Sequence, residues 1–377
     1  MKKLRFWKKK ENFFLLELSE EGVSAMLLGI GEDKKLVPKK EWADANCAKL
    51  IKRFRVKQLP KNIIVSASPV IAFTSVLPVV LMREAAGEEI TATELENLLA
   101  QAVGRVFNQC RTEASKSLGI DDLDAILVGS RVLDFKIDGH KVMNPVGFSA
   151  GKLEAVLELV LTTRKVFNDI KVFVRGQSSI FFTEVGRAEL SILQRTSDPP
   201  LGVVLLDHPR SHYSVMLKAP VQSLKRGELD WSIKSLNDSI VREWGITPLV
   251  AQGIYEAYLK KDFSPPVMKA MGKILKPASE SLLATVRDQF KGPLYVNSPS
   301  SLPFPLPVKK GGVVLMEPPL ADALQKFGFS VNLAEWPYPP NQVFKKLAPF
   351  LEFYGDKSDS TINHWLRRHL NWLGASV

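Results

Sequence analysis

A short run of chemically capable residues, Asp207-His208-Pro209-Arg210-Ser211-His212, lies past the middle of the chain. The two histidines are four residues apart, which is the spacing at which helices present zinc ligands, but the apolar residues before them predict a strand and a turn. No third ligand is near in the sequence, so we expect surface histidines and no metal site. A second interpretation is that Arg210 and the two histidines form a side-chain site for an anion.

The motifs of common enzyme classes do not occur in the sequence. There is no Gly-x-Ser-x-Gly, no Walker sequence and no Cys-x-x-Cys, and Gly29-Ile-Gly31 lacks the third glycine and the helix of a dinucleotide site. Only two cysteines, Cys47 and Cys110, are present. They imply no disulfide framework, so we expect a reducing, cytoplasmic environment.

The composition favours a folded protein with an anionic partner. The chain has 377 residues, of which 45% are apolar, enough for two or three domains with separate cores. Lysine and arginine number 51 against 40 acidic residues, a formal charge of +11. This excess favours nucleic acid, an acidic membrane surface or an acidic protein, and charge alone does not choose among them.

Strand and helix patterns alternate along the chain and predict an α/β protein. Residues 12–29 predict a hairpin with a Glu-Glu-Gly turn, and Thr91-Ala-Thr-Glu94 is a capping box that begins an amphipathic helix over 91–117. A strand over 125–139 should bend near Gly129. The other predicted elements are a helix or a strand at 151–161, a strand at 170–177, a helix at 178–193, a strand at 200–208, helices at 232–245 and 248–261, and strands at 293–298 and 311–317.

Residues 62–82 carry no charge over about the length that spans a bilayer. A spanning helix is one interpretation of this stretch. Pro69, Pro78 and many β-branched residues favour the other, a hairpin of two buried strands. The basic start MKKLRFWKKK resembles that of a signal peptide, but the apolar run after it is short and meets Glu17, so we do not expect secretion.

A dense pattern covers residues 137–155. It consists of Ile137-Asp138-Gly139, Asn144-Pro145-Val146-Gly147, Ser149 and Leu153-Glu154-Ala155. This run resembles the signature that closes the small inserted domain, called SHS2 or 1C, in the FtsA branch of the actin-like proteins. The helix at 91–117 resembles the helix of that domain, and the similarity extends over most of residues 12–260. The PilM family, which has the same inserted domain, is the other family that the chain resembles.

The resemblance implies an actin-like (RNase H-like) two-domain α/β fold with an inserted SHS2-type α+β subdomain. The expected parts are a basic N-terminal arm at 1–11, a first actin-like domain at 12–83 and 164–198, the inserted subdomain at 84–163, a degenerate second actin-like domain at 199–350, a linker at 351–361 and an amphipathic helix at 362–377.

Actin-like ATPases hold ATP with glycine-rich hairpins, because only glycine lets backbone N–H groups come so close to phosphates. The matching positions here are Ser19 and Gly22 in the first hairpin, Asp207, Arg210 and Ser211 in the second, and residues 296–301 on the adenosine side. Glu20 and Glu21 add carboxylates, and Pro209 removes a donor. We therefore expect no catalytic residue and no cofactor, with ATP and Mg²⁺ bound only if the cleft is intact.

The C-terminal helix separates apolar from polar residues. At about 100° per residue, one arc holds Ile362, Trp365, Leu366, His369, Leu370, Trp372 and Leu373, and the other holds Arg367 and Arg368. One interpretation is a helix docked on its own domain. FtsA-like proteins end in a polar linker and a membrane-targeting helix, so the resemblance implies that the apolar arc meets lipid, with both arginines at the headgroups. The N-terminal arm is a second lipid contact or a solvated segment.

By resemblance, the function is that of a membrane-tethering adaptor or scaffold for cell division, cytoplasmic and peripheral on the inner face of the cell membrane. Its partners would be an FtsZ-like filament, other copies of itself and an anionic membrane surface, and no nucleic acid. Two alternatives stay open: a PilM-like pilus-assembly protein that binds a peptide of an inner-membrane partner, and an active ATPase of the same fold.

Overall fold

The computed structural model describes residues 11–53, 59–174, 179–206, 210–217, 223–299, 301–356 and 361–369. The strands in chain order are β1 (Asn12–Ser19), β2 (Gly22–Ile30), β3 (Lys35–Asp44), β4 (Asn62–Ala67), β5 (Ala72–Met82), β6 (Ala125–Ile137), β7 (His140–Val142), β8 (Lys152–Thr163), β9 (Ser179–Glu184), β10 (Leu201–Leu205), β11 (Ser211–Leu217), β12 (Ser223–Leu229), β13 (Gly292–Asn297), β14 (Val308–Lys310), β15 (Val313–Met316) and β16 (Ser330–Val331). The helices are α1 (Cys47–Ile51), α2 (Ala92–Leu118), α3 (Arg164–Val174), α4 (Val185–Leu193), α5 (Lys234–Trp244), α6 (Pro248–Lys260), α7 (Pro265–Gln289), α8 (Leu320–Lys326), α9 (Pro340–Asp356) and α10 (Thr361–His369).

Two six-stranded sheets share one order over five of their strands. In the first sheet the antiparallel strands β3-β2-β1 continue into the parallel strands β4 and β9. In the second sheet the antiparallel strands β12-β11-β10 continue into the parallel strands β13 and β15. We call the first sheet with its helices the first unit, and the second sheet with α5 to α7 the second unit. Mixed sheets connected by helices confirm the α/β prediction.

A separate antiparallel sheet, in the order β5-β8-β6-β7, is inserted in the chain between β4 and β9. Helices α2 and α10 cover one of its faces with apolar side chains, and we call this sheet with α2 the inserted subdomain. The hydroxyl of Thr91 accepts a hydrogen bond from the Glu94 N–H at 3.1 Å, as the predicted cap requires. Helix α2 ends at Gly119, whose φ of +65° suits glycine.

The last part of the chain returns to the first unit, which differs from the predicted division. The ring of Phe13 in β1 packs edge-on against Phe350 in α9, with ring centroids 4.9 Å apart. Strand β16 pairs with β3. Residues 320–356 therefore belong to the first unit, whereas we predicted a second domain up to 350 and a linker at 351–361. Leu351 and Phe353 are buried, so the start of that segment is core and not a linker.

Three further predictions need correction. Strands β4 and β5 are not a hairpin, because β4 pairs with β1 and β9 while β5 pairs with β8. The inserted sheet thus begins at residue 72, before the predicted boundary at 84. Residues 170–174, where we predicted the first part of a strand at 170–177, are the end of helix α3, since Val166, Phe167 and Ile170 share one apolar cluster at helical spacing. Residues 175–177 lie outside the described residues.

The helix predicted at 178–193 begins only at residue 185. Strand β9 precedes it, with Phe181 and Phe182 in clusters on opposite faces of the first sheet, as alternation in a strand requires. Residues 62–82 form strands, and none of the described helices is both long and apolar enough to cross a membrane.

Candidate functional site

A cleft of about 340 Å³ lies between the β1–β2 hairpin and the start of β11. Ser19 and Gly22 line it from the first unit, and Arg210 lines it from the second. The structure therefore brings together positions of both predicted phosphate hairpins. Asp207 lies outside the described residues. Other residues of the lining carry charge: Glu17, Glu20, Glu21, Asp44 and Lys345.

The first hairpin is closed by its own hydrogen bond. The hydroxyl of Ser19 donates to the carbonyl oxygen of Gly22 at 3.0 Å, and Glu20 and Glu21 form the exposed turn between them. Gly22 has a φ of +151°, and a Cβ there would lie 2.6 Å from the carbonyl oxygen of Asp44 in β3. The close approach of a neighbouring strand explains this glycine, and the two carboxylates of the turn would repel a phosphate.

Glu17, next to that hairpin, forms an internal ion pair. Its carboxylate oxygens lie 3.4 Å from Nζ of Lys346 and 3.7 Å from Nζ of Lys345, and the hydroxyl of Ser24 donates to it at 3.2 Å. Burial acts to raise the pKa of Glu17, but the two lysines and the hydroxyl outweigh burial and lower it. The positive charge beside this carboxylate is thus supplied by α9. Glu17 is therefore paired within the protein and is not a free ligand for a magnesium ion.

The second hairpin offers little to hold an anion. The guanidinium of Arg210 lies 3.6 Å from the carboxylate of Glu228, and both side chains are about half exposed, so this pair is weak. Ser211 is fully buried, and its hydroxyl has no hydrogen-bond partner among the described residues. His212 lines the cleft, while His208 lies outside the described residues. The described part of the chain contains no group of three metal-ligating side chains.

Side-chain hydrogen bonds occupy the segment that would replace the adenosine-side glycines. The amide of Asn297 donates to the carboxylate of Glu189 at 2.9 Å. The amide of Gln342 in α9 donates to the carbonyl oxygen of Ser298 at 2.6 Å and to Oδ1 of Asn297 at 2.9 Å. These polar groups at the end of β13 therefore already bind the chain itself.

A buried charge cluster formed by residues outside the cleft lining was not predicted. Glu158 in β8 pairs with Arg131 in β6 at 2.6 Å and with Arg187 in α4 at 2.5 Å. Arg131 also pairs with Glu352 in α9, which accepts a hydrogen bond from the hydroxyl of Thr183 at 2.6 Å. The cluster joins the inserted subdomain to the first unit. A carboxylate in the middle of the apolar strand β8 could have indicated this cluster in the sequence, because buried charges need partners.

Helix α10 is docked on the inserted subdomain. Leu366 is fully buried and Ile362 is 8% exposed, both in one apolar cluster with α2. The side chain of Asn363 accepts from the Val132 N–H at 2.7 Å and donates to the Val132 carbonyl oxygen at 3.0 Å. In this structure protein covers Ile362 and Leu366, so the predicted lipid contact of these two residues would require α10 to leave this surface, and it stays a prediction.

The other predicted lipid contacts are only partly described. Trp365 is half-buried against the same apolar cluster. Arg367 and Arg368 lie within α10. Leu370, Trp372 and Leu373 lie outside the described residues, as do residues 1–10 of the basic arm predicted at 1–11. Lipid binding by these residues stays a prediction.

No protein-family model and no curated protein matches the chain. It is similar to a chain of the PilM-PilN type IV pilus biogenesis complex, with 11% identity, a TM-score of 0.46 and coverage of 96% of this chain and 98% of that one. The chain is also similar to the cytoplasmic domain of EpsL, an inner-membrane component of the type II secretion system of Vibrio cholerae. The identity is 10%, the TM-score is 0.36, and the match covers 93% of this chain and 98% of that domain. A Bacteroides thetaiotaomicron protein with an actin-like ATPase fold and unknown function is similar as well. Its sequence identity is 11%, its TM-score is 0.32, and the match covers 74% of this chain and 98% of that chain.

Proposed function

We propose that this protein is a binding scaffold of actin-like fold, with an SHS2-type inserted subdomain, that works without nucleotide turnover. The observation that carries the proposal is the ion pair of Glu17 with Lys345 and Lys346 at the cleft. A magnesium ion that used Glu17 as its ligand would have to displace both lysines from this partly buried carboxylate. The repeated strand order supports the actin-like architecture, because it provides two related units around one cleft.

For the biological role we propose the PilM-like alternative, in which the protein binds a segment of an inner-membrane protein within an assembly complex. The docking of α10 favours this role over the FtsA-like adaptor. To anchor the chain on lipid, α10 would have to expose Ile362 and Leu366 and break both hydrogen bonds of Asn363. The adaptor that holds an FtsZ-like filament is the second candidate, and it requires this release.

Thermal unfolding with and without Mg-ATP tests the nucleotide part of the proposal. We expect no change in Tm at about 1 mM nucleotide. Binding with a Kd one hundred times lower would add about 2.7 kcal/mol, which is a shift of several degrees. The double variant Lys345→Ala/Lys346→Ala should have a lower Tm than the wild type, and Mg-ATP should leave its Tm unchanged as well. Clear stabilisation of the wild type by Mg-ATP would contradict the proposal and favour the active ATPase.

Disulfide trapping of α10 tests the choice between the two roles. The variant Val132→Cys/Asn363→Cys places thiols at two residues in direct contact, and the native Cys47 and Cys110 are buried. We expect the cross-link to form equally with and without anionic vesicles. The control Val132→Cys/His364→Cys, with an exposed second position, should not form it. Loss of the cross-link on vesicles would show that lipid extracts α10, in favour of the FtsA-like role.

A further inference from the structure

We propose that the β14–β15 hairpin of the second unit contacts the headgroups of an anionic lipid bilayer. The turn of this hairpin, Gly311-Gly312, is exposed. Four exposed basic residues surround it, and we call them the basic hairpin patch: Arg287, Lys291, Lys309 and Lys310. The patch involves neither the cleft nor α10, so the inference does not depend on the function proposed above.

The two lysines of β14 lie on the outermost strand of the second sheet. In the antiparallel ladder with β15, Lys309 is opposite Val314 and Lys310 is opposite Val313. Both glycines of the turn have positive φ, +59° and +86°, so the chain reverses within two residues. The lysines are therefore next to an exposed tip.

The other two basic residues lie against this turn from the end of α7. A Cβ built on Gly311 would be 2.8 Å from Cδ of Arg287, and one built on Gly312 would be 3.8 Å from Cδ of Lys291. The N–H of Gly292 donates to the carbonyl oxygen of Gly312 at 3.0 Å and fixes this arrangement. Residues distant in sequence thus form one positive surface.

Most of this charge is not neutralised within the protein. In the part of the chain that the structure describes, Lys291, Lys309 and Lys310 form no ion pair or side-chain hydrogen bond. The guanidinium of Arg287 lies 3.4 Å from the carboxylate of Asp288, in an exposed pair that contributes little. The patch therefore remains strongly positive and available to an anionic partner.

A lipid surface fits this patch better than a protein or a nucleic acid. A stable protein interface needs an apolar core, and the four residues are all charged. Nucleic-acid recognition places basic side chains along a groove or beside stacked aromatic rings, whereas these are gathered at one tip. Each basic residue near an anionic leaflet increases binding about fivefold, with no demand on shape.

Protection of the sheet edge is a purely structural alternative. Lysines on an edge strand discourage pairing with another strand. This role accounts for Lys309 and Lys310. It does not account for Arg287 and Lys291, which precede β13 and lie outside the edge strand.

Vesicle sedimentation of the full chain tests the inference. The patch variant is Lys291→Glu/Lys309→Glu/Lys310→Glu. The control has the same change of charge at exposed positions of α7, Lys269→Glu/Lys273→Glu/Lys276→Glu. With vesicles of phosphatidylcholine and about one third phosphatidylglycerol, we expect the wild type and the control to bind, and the patch variant to bind at least tenfold more weakly. Sodium chloride at about 0.5 M should abolish binding.

Several outcomes would overturn the inference. These are no binding of the wild type, equal binding to pure phosphatidylcholine, equal binding of wild type and patch variant, or equal loss in both variants. Light scattering without vesicles tests one more outcome. If the wild type does not bind vesicles but forms a salt-sensitive oligomer, and only the patch variant loses this oligomer, the patch would instead bind a second copy of the chain. Thermal unfolding checks that each variant is folded, and glutamine at the same three positions gives a milder patch variant if it is not.

Discussion

The guanidinium of Arg226 in the second unit donates a hydrogen bond to the buried carboxylate of Glu184 in the first unit, at 2.9 Å. Arg226 also donates to the carbonyl oxygens of Pro69 and Ala72 at 3.0 Å and 3.2 Å. Its guanidinium carbon lies 4.7 Å from the ring centroid of Phe73 in β5. One side chain thus fastens the second unit to both other parts of the protein.

Substitution of this arginine should weaken the whole structure. Arg226→Met leaves a fully buried carboxyl group and two carbonyl oxygens without their donor, so we expect a loss of about 3 kcal/mol in the free energy of unfolding. Urea denaturation at neutral pH measures it. Arg210→Met, which removes an exposed pair with Glu228, is the control and should cost less than about 1 kcal/mol. Equal losses for the two variants would contradict the role assigned to Arg226.

The buried Glu158 cluster should make stability depend on pH. Burial acts to raise the pKa of Glu158, but Arg131 and Arg187 outweigh it and hold the pKa below its usual value of 4.5. The unfolded chain then binds more protons than the folded one in acid. The stabilisation is therefore present above pH 4.5 and is lost as the pH falls through the lowered pKa.

A pair of variants on β8 tests whether the pKa of Glu158 is lowered in the folded protein. Glu158→Gln should cost about 3 kcal/mol at neutral pH, and its difference from the wild type should shrink in acid. Glu154→Gln, on the same strand with a side chain 39% exposed, should change stability by less than about 0.5 kcal/mol. Urea unfolding at several pH values provides the comparison. A difference for Glu158→Gln that grows as the pH falls would show that the pKa is raised.

Truncation of the buried face of α10 should destabilise the protein. Leu366→Ala leaves a cavity against the inserted subdomain, so we expect a loss of about 2–5 kcal/mol. His364→Ala, at an exposed position of the same helix, should be close to neutral. Thermal and urea unfolding of both variants measure the effect. Equal stability of the two would mean that α10 is not docked in solution.

Two glycines should respond in opposite directions to alanine. Gly22→Ala introduces a Cβ 2.6 Å from the carbonyl oxygen of Asp44 at positive φ, so we expect a loss of about 1–3 kcal/mol. Gly104→Ala in α2 meets no atom within 4 Å and should gain about 0.5–1 kcal/mol. The same unfolding assays measure both. If Gly22→Ala were neutral, close strand packing would not explain this glycine.

Local sequence signals predicted individual strands and helices better than they predicted which strands pair with each other. The Thr91 cap and helical spacing gave α2, and the Glu-Glu-Gly turn gave β1 and β2, because these depend on neighbours in sequence. Strands β4 and β5 were found as strands, but their assignment to different sheets depends on distant residues. The short run 178–184 was predicted as helix because a brief apolar stretch does not distinguish the two periods.

The cleft shows the same limit. Ser19, Gly22 and Arg210 were placed together through the resemblance to a family, and the structure has them in one lining. Lys345 and Lys346, which pair with Glu17, come from a helix far along the chain, and nothing near them in the sequence indicated this pairing. The separation of α10 into two faces was detected, but periodicity alone does not tell whether protein or lipid covers an apolar face.

The contact of Phe13 with Phe350 bears on how the protein is made. During synthesis β1 leaves the ribosome long before α9. The core of the first sheet therefore stays uncovered until α9 has been synthesised. The inserted subdomain and the second unit consist largely of segments closer together in the chain. We expect these parts to fold while the chain is still growing, and the N-terminal sheet to finish last and to need protection from aggregation until then.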